Sequence, residues 1–129
     1  METKKIKILH FEDDDIIAEM YHTKFNHEGF DVIHLKDPAP NPVETVAKEK
    51  PDLILMDVVM PKMDGVEATI LLKKDSRTMN IPVYGLSNYN QPKDIERGLS
   101  AGMKEYWITA EQTPEEVVKK IKNIFYPSV

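Results

Sequence analysis

The sequence contains no cysteine, which excludes disulfides, thiolate metal sites and a cysteine nucleophile. It carries no surplus of positive charge: 17 Lys and Arg against 22 Asp and Glu leave a net charge of −5. A chain that grips a phosphate backbone needs the opposite balance. No apolar run approaches the roughly 20 residues that span a bilayer. The charged start, Met1-Glu2-Thr3-Lys4-Lys5, precedes too short an apolar run to be a signal peptide or anchor. A cytoplasmic, soluble chain with no nucleic-acid and no membrane partner is expected. Glycine is scarce, and Gly29, Gly65 and Gly102 stand at turns or helix ends rather than in a phosphate-cradling loop. The four histidines, His10, His22, His27 and His34, match no spaced zinc-ligand motif, so zinc is not expected.

What is present is a regular alternation. The 129 residues have the size of one domain, and 41% apolar residues are enough to build its core. A single domain over residues 1–129 is expected. Short apolar runs read as strands at 6–11, 31–35, 53–56, 82–87 and 105–108. Helical spacing follows each: Ile16, Ile17, Met20, Tyr21 and Phe25, then a short segment over 43–50 after Pro38, Pro40 and Pro42, then 65–74, 92–101 and a last helix from Thr113. At that last start Thr113 is the N-cap, Pro114 takes the first helical position and Glu116 completes a capping box. Its core face is Val117, Val118, Ile121, Ile124 and Phe125. Five strand–helix repeats with right-handed crossovers make an α/β, doubly wound, five-stranded parallel sheet with helices on both faces. The pattern is used up by the fifth helix, so no output domain is expected.

Ligands of such sheets bind at the carboxyl ends of the strands. There the first strand ends in Glu12-Asp13-Asp14-Asp15, the third in Asp57, the fourth in Ser87 and the fifth in Ile108-Thr109. With the first and third strands adjacent, Glu12, Asp13 and Asp57 converge. Crowded carboxylates raise one another's pKa, and a hard cation such as Mg²⁺ relieves them. Asp14 and Asp15 are better read as acids at the start of the first helix, where the helix dipole favours them.

The run Pro51-Asp52-Leu53-Ile54-Leu55-Met56-Asp57-Val58-Val59-Met60-Pro61-Lys62-Met63-Asp64-Gly65 resembles the phosphoacceptor strand and following loop of response-regulator receiver domains in two-component signalling. Ile8 to Asp14, Ile81 to Asn88 and Gly98 to Ile108 resemble three further segments of that family. The resemblance implies a flavodoxin-like sheet of strand order 2-1-3-4-5. It implies that Asp57 accepts a phosphoryl group, that Asp13, Asp57 and the Val59 backbone carbonyl ligate Mg²⁺, and that Glu12 acts through metal-bound water. Ser87 would hydrogen-bond the phosphoryl group, Tyr106 would be the switch aromatic, and Val59 and Tyr89 would flank the group. Partners would be a histidine kinase or phosphotransfer protein, and a downstream target on the face formed by the fourth helix, fifth strand and fifth helix. Such a chain is a signalling phosphoacceptor rather than an enzyme, with self-catalysed transfer and slow autodephosphorylation.

One departure stands out. Where the family carries Lys-Pro after the fifth strand, this chain has Thr109-Ala110. A hydroxyl replaces a point charge at that place, and without the proline a cis peptide there is disfavoured. Lys62 and Lys104 could reach in to compensate, although solvated surface positions explain both more simply. The departure motivates the alternative of a degenerate receiver acting as a phosphorylation-independent interaction module. An aspartate-nucleophile phosphatase would want a second acid two residues after Asp57, where Val59 stands.

Overall fold

A computed structural model describes residues 5–127. Its elements alternate as the sequence predicts: β1 Lys7–Phe11, α1 Asp15–His27, β2 Asp31–Leu35, α2 Pro42–Glu49, β3 Leu53–Met56, α3 Gly65–Lys74, β4 Val83–Ser87, α4 Pro92–Ala101, β5 Tyr106–Ile108 and α5 Pro114–Phe125. The five strands form one parallel sheet in the order β2-β1-β3-β4-β5. A short 3-10 turn, Thr109–Glu111, separates β5 from α5 and was not foreseen.

Strand alternation divides the core in two. Ile8, Leu53, Leu55, Tyr84, Leu86 and Trp107 face Tyr21 and Phe25 of α1 and Val117, Val118 and Ile121 of α5. Leu9, Phe11, Ile54, Met56 and Val83 face the other way, onto Val46, Ala68, Leu72 and Met103. The central strand β3 is covered on both sides, which is why it reads as a continuous apolar run. Within α1 the expected apolar set divides. Tyr21 and Phe25 are buried with Ala18, but Ile16 and Met20 are 82% and 45% exposed. The helix turns its 18/21/25 stripe to the sheet, and residues 16 and 20 fall outside that stripe.

The helix ends follow local chemistry. Asp14 caps α1, accepting hydrogen bonds from the Ile16 and Ile17 amides at 2.9 and 3.1 Å, as its assignment to the helix start required. The Thr113 and Glu116 capping box on α5 is complete, with both hydrogen bonds at 3.1 Å. The β3–α3 loop is held where its amide from Gly65 reaches the Val58 carbonyl at 2.7 Å. Lys62 donates its own amide to the Asp37 carboxylate at 2.6 Å. Gly65 allows this turn because a Cβ there would lie 1.8 Å from the Asp57 carbonyl oxygen and 2.8 Å from Met56 Cγ. Gly65→Ala should therefore push the turn off the end of β3 and lower the unfolding free energy by about 1–3 kcal/mol, measured by urea denaturation. An unchanged midpoint would show that the turn yields without cost.

Candidate functional site

The strand order puts the ends of β1 and β3 side by side. The ladder continues past both strands: the Asp57 amide donates to the Phe11 carbonyl at 3.0 Å, and the Glu12 amide to the Leu35 carbonyl at 2.9 Å. Backbone pairing therefore sets Glu12 and Asp57 in register. Ligand oxygens of Glu12, Asp13 and Asp57 lie within 4.8 Å of one another, the one such group of three among the described residues. Glu12 and Asp57 are buried and Asp13 is exposed. They open onto a cleft of about 320 Å³ whose other walls include Ile17, Val59, Asn88 and Tyr89.

Negative charge in this cleft is poorly compensated. Burial, and then the charge of Asp57, push the Glu12 carboxyl up to about 8. Burial also raises Asp57, while hydrogen bonds with Ser87, Glu12 and the Val58 amide offset part of that rise. The Val58 amide lies 2.7 Å from Asp57 Oδ1, and the Asp14 amide 3.1 Å from Glu12 Oε2. The donor set is oxygen only, close-packed and short of positive charge, which fits a hard divalent cation such as Mg²⁺.

Ser87 ends β4, buried, and its hydroxyl receives the Tyr89 amide at 3.2 Å. Tyr106 packs its ring over two glycines. A Cβ on Gly85 or Gly98 would come within 2.9 or 3.0 Å of Tyr106 Cδ2. Its hydroxyl donates to the Tyr89 carbonyl. Tyr106, Ser87 and Tyr89 thus form one connected unit between β5 and the acidic cleft.

None of the residues invoked around the missing lysine lines the cleft. Thr109 opens the 3-10 turn after β5, where its carbonyl accepts from the Gln112 amide at 3.3 Å, and it lies outside the cleft walls. Lys104 cannot substitute for the lysine. Its amide pairs with the Val83 carbonyl at the start of β4, and at about 3.3 Å per residue that is a strand's length from Ser87. Its charge instead adds to the lowering of the Lys73 ammonium pKa, after burial. Lys62 is exposed on the loop after Asp57 and is also outside the walls. The peptide after Thr109 is trans, as its lack of proline requires.

Sequence reasoning missed a second polar cluster. His10 and His34 are register partners on β1 and β2, and His22 approaches both from α1. Strand parity could have exposed it, because His10 shares its face with Ile8, inside the α1-covered core. Asn88, given no role in the sequence reading, also stands in the cleft wall.

The model of the response regulator receiver domain family matches residues 8–122. The DNA-binding response regulator MtrA of Mycolicibacterium smegmatis is 30% identical over 122 residues, 95% of this chain and 51% of that protein. The phosphate regulon transcriptional regulatory protein PhoB of Escherichia coli is 34% identical over 118 residues, 92% of this chain and 51% of that protein. The chain therefore spans about half the length of these curated relatives. Among solved structures, the receiver domain of Francisella response regulator 1452 superposes with a TM-score of 0.81 at 28% identity, covering 95% of this chain and 97% of that one. No helix among the described residues is long and apolar enough to cross a membrane.

The raised carboxyl makes a pH prediction. Glu12 holds its proton more tightly folded than unfolded, so its contribution to stability is full below pH 4.5 and is lost as pH rises towards about 8. In chelator, Glu12→Gln should unfold with nearly wild-type free energy at the acid end of that range and be the more stable protein at its alkaline end. A difference that does not change with pH would mean that Glu12 is not held neutral by its surroundings.

Proposed function

Because this chain belongs to the response-regulator receiver family, we propose that it is a phosphoacceptor whose Asp57 takes a phosphoryl group from a histidine kinase or phosphotransfer protein. The observation that carries the reading is the buried Asp57 carboxylate at the end of β3, within 4.8 Å of ligand oxygens of Glu12 and Asp13. Asp13, Asp57 and the Val59 carbonyl would hold Mg²⁺, with Glu12 acting through a bound water. Bound there, a divalent cation supplies charge neutralisation to the carboxylates and to the incoming phosphoryl oxygens.

The chain's own residues do the rest. An Asp57 carboxylate oxygen forms a bond to phosphorus as the bond between phosphorus and the donor nitrogen breaks, and that nitrogen leaves with a proton. The Val58 amide, 2.7 Å from Asp57 Oδ1, holds the carboxylate so that attack is a matter of positioning. Ser87 would donate its hydroxyl to a phosphoryl oxygen. To do so it must change partners, and Tyr89 and Tyr106 are tied to it. That linkage would carry the event to α4, β5 and α5, the surface proposed to meet a downstream protein. Val59 and Tyr89, both in the cleft wall and 44% and 47% exposed, would set how easily water reaches the acyl phosphate.

Two measurements test this. With a small-molecule phosphodonor and Mg²⁺, intact mass should show one labile phosphoryl addition, absent from Asp57→Asn and strongly reduced in Asp13→Asn. The same addition in Asp57→Asn would move the chemistry elsewhere. No addition to wild type would leave the chain as a phosphorylation-independent interaction module. The second concerns Thr109. Charge-assisted hydrogen bonds contribute roughly 1.5–3 kcal/mol, and no lysine stands in the cleft wall to make one. Thr109→Lys should tighten binding of a phosphoryl mimic in Mg²⁺ by about tenfold or more and enlarge the response at Tyr106. Trp107, the single tryptophan, is the fluorescent probe. Identical titrations for both proteins would show that the wild-type site already has a substitute for the charge.

A further inference from the structure

Three histidines from three elements meet beneath α1, on the sheet face opposite α2 and α3. His10 Nδ1 lies 3.4 Å from His22 Nε2. The His22 and His34 rings are 5.1 Å apart by centroid, and those of His10 and His34 6.2 Å. His10 is fully buried and its Nε2 has no partner. The Tyr21 hydroxyl is also buried and unpartnered, its ring edge-on to His10 at 6.0 Å. An apolar side chain at position 10 would fill this space without the cost of an unmade hydrogen bond. The imidazole therefore needs a reason.

We propose that His10, His22 and His34 form a site for a first-row transition-metal ion, with Zn²⁺ as its probe, separate from the acidic cleft. Two imidazole nitrogens on a tetrahedral ion with bonds of about 2.0–2.1 Å sit about 3.4 Å apart. His10 Nδ1 and His22 Nε2, a hydrogen-bonded pair, already hold that separation, and an ion would displace the proton they share. His34 directs Nε2 at the Glu12 backbone carbonyl. As the donor in that contact it leaves Nδ1 with a free lone pair, and a carbonyl on the far nitrogen is the usual support of a ligating histidine. Burial and the neighbouring imidazoles push the His10 pKa down to about 3, and His22 is lowered as well. Both are therefore neutral ligands at neutral pH. Three imidazoles with no carboxylate select Zn²⁺, Ni²⁺ or Cu²⁺ over Mg²⁺.

The three rings do not yet converge on a single point, since the acidic group is the one set of three within 4.8 Å among the described residues. His34 is the ligand that closes. It is half-buried on the edge strand β2, and a modest rotation about its contact with the Glu12 carbonyl is the movement the site requires. The half-exposed side of His22 and His34 leaves a fourth position to water. Through the Glu12 carbonyl, such an ion would touch the strand end that carries the acidic cleft.

The test is calorimetric titration of Zn²⁺ into the full chain in saturating Mg²⁺, repeated with Co²⁺ and read by visible absorption. Wild type should bind one ion per chain and give the strong bands of a tetrahedral, nitrogen-ligated Co²⁺. His22→Ala and His34→Gln should each weaken binding by about tenfold or more, with circular dichroism verifying the fold. His34→Gln, at a half-exposed position, decides the matter if His22→Ala does not fold. His27→Ala, at the exposed end of α1, should bind as wild type does, and so should Asp13→Asn. Absence of binding to wild type overturns the proposal. So does binding that survives His34→Gln unchanged, or binding lost in Asp13→Asn.

Discussion

Three carboxylates sharing the ends of two adjacent parallel strands are the constraint around which the molecule is arranged. Like charges brought together with one member exposed and two buried repel, and burial removes the water that would screen them. The fold imposes this crowding, because the β2-β1-β3 order makes β1 and β3 neighbours and backbone pairing locks Glu12 and Asp57 in register. What surrounds the cluster is consistent with holding it. Backbone amides of Asp14 and Val58 point at its oxygens, and the turn at Gly65 presses against the Asp57 carbonyl. The apolar load that offsets the repulsion sits below, in the continuously buried residues of β1 and β3.

A second group of contacts depends on the first. Tyr106 occupies space that only glycine at 85 and 98 leaves open, and its hydroxyl holds the β4–α4 loop through Tyr89. Ser87 holds the same loop from the cleft side. Ser87 and Tyr106 are thus joined through the backbone of Tyr89. This connection rests on hydroxyls and backbone groups. Hydroxyl contacts are weaker than charge-assisted ones and more easily exchanged.

The two faces of the sheet differ in character. The face under α2, α3 and α4 is largely apolar in its buried part, with the Thr69 hydroxyl tied to the Gly65 carbonyl. The face under α1 admits a strip of polar rings, His10, His22, His34 and Tyr21, directly behind the acidic residues. Unpaired buried polar atoms are costly, and here two of them stand side by side. The strip joins the cleft where His34 meets the Glu12 carbonyl.

Much of this was legible in the sequence. Alternation of short apolar runs with helical spacing determined the α/β class, and Leu53 to Met56, apolar without a break, declared a strand covered on both sides. The α5 start was readable in full, because a capping box is a local device that Thr113, Pro114 and Glu116 complete among themselves. The position of Glu12, Asp13, Asp57 and Ser87 followed from the rule that ligands gather at strand ends. Tertiary structure alone decided matters that depend on which neighbour a side chain meets. It turned Ile16 and Met20 outward although their spacing suited a helix face, since the sheet accepts only one stripe of α1. It put Lys104 at the far end of β5 from the cleft. It also gathered His10, His22 and His34, which share no spacing motif. Their meeting depends on the pairing of β1 with β2 and on the way α1 crosses them. Sequence reports periodicity and local caps, which act within a few residues. Contacts between residues far apart in the chain exist only once strands have chosen their partners.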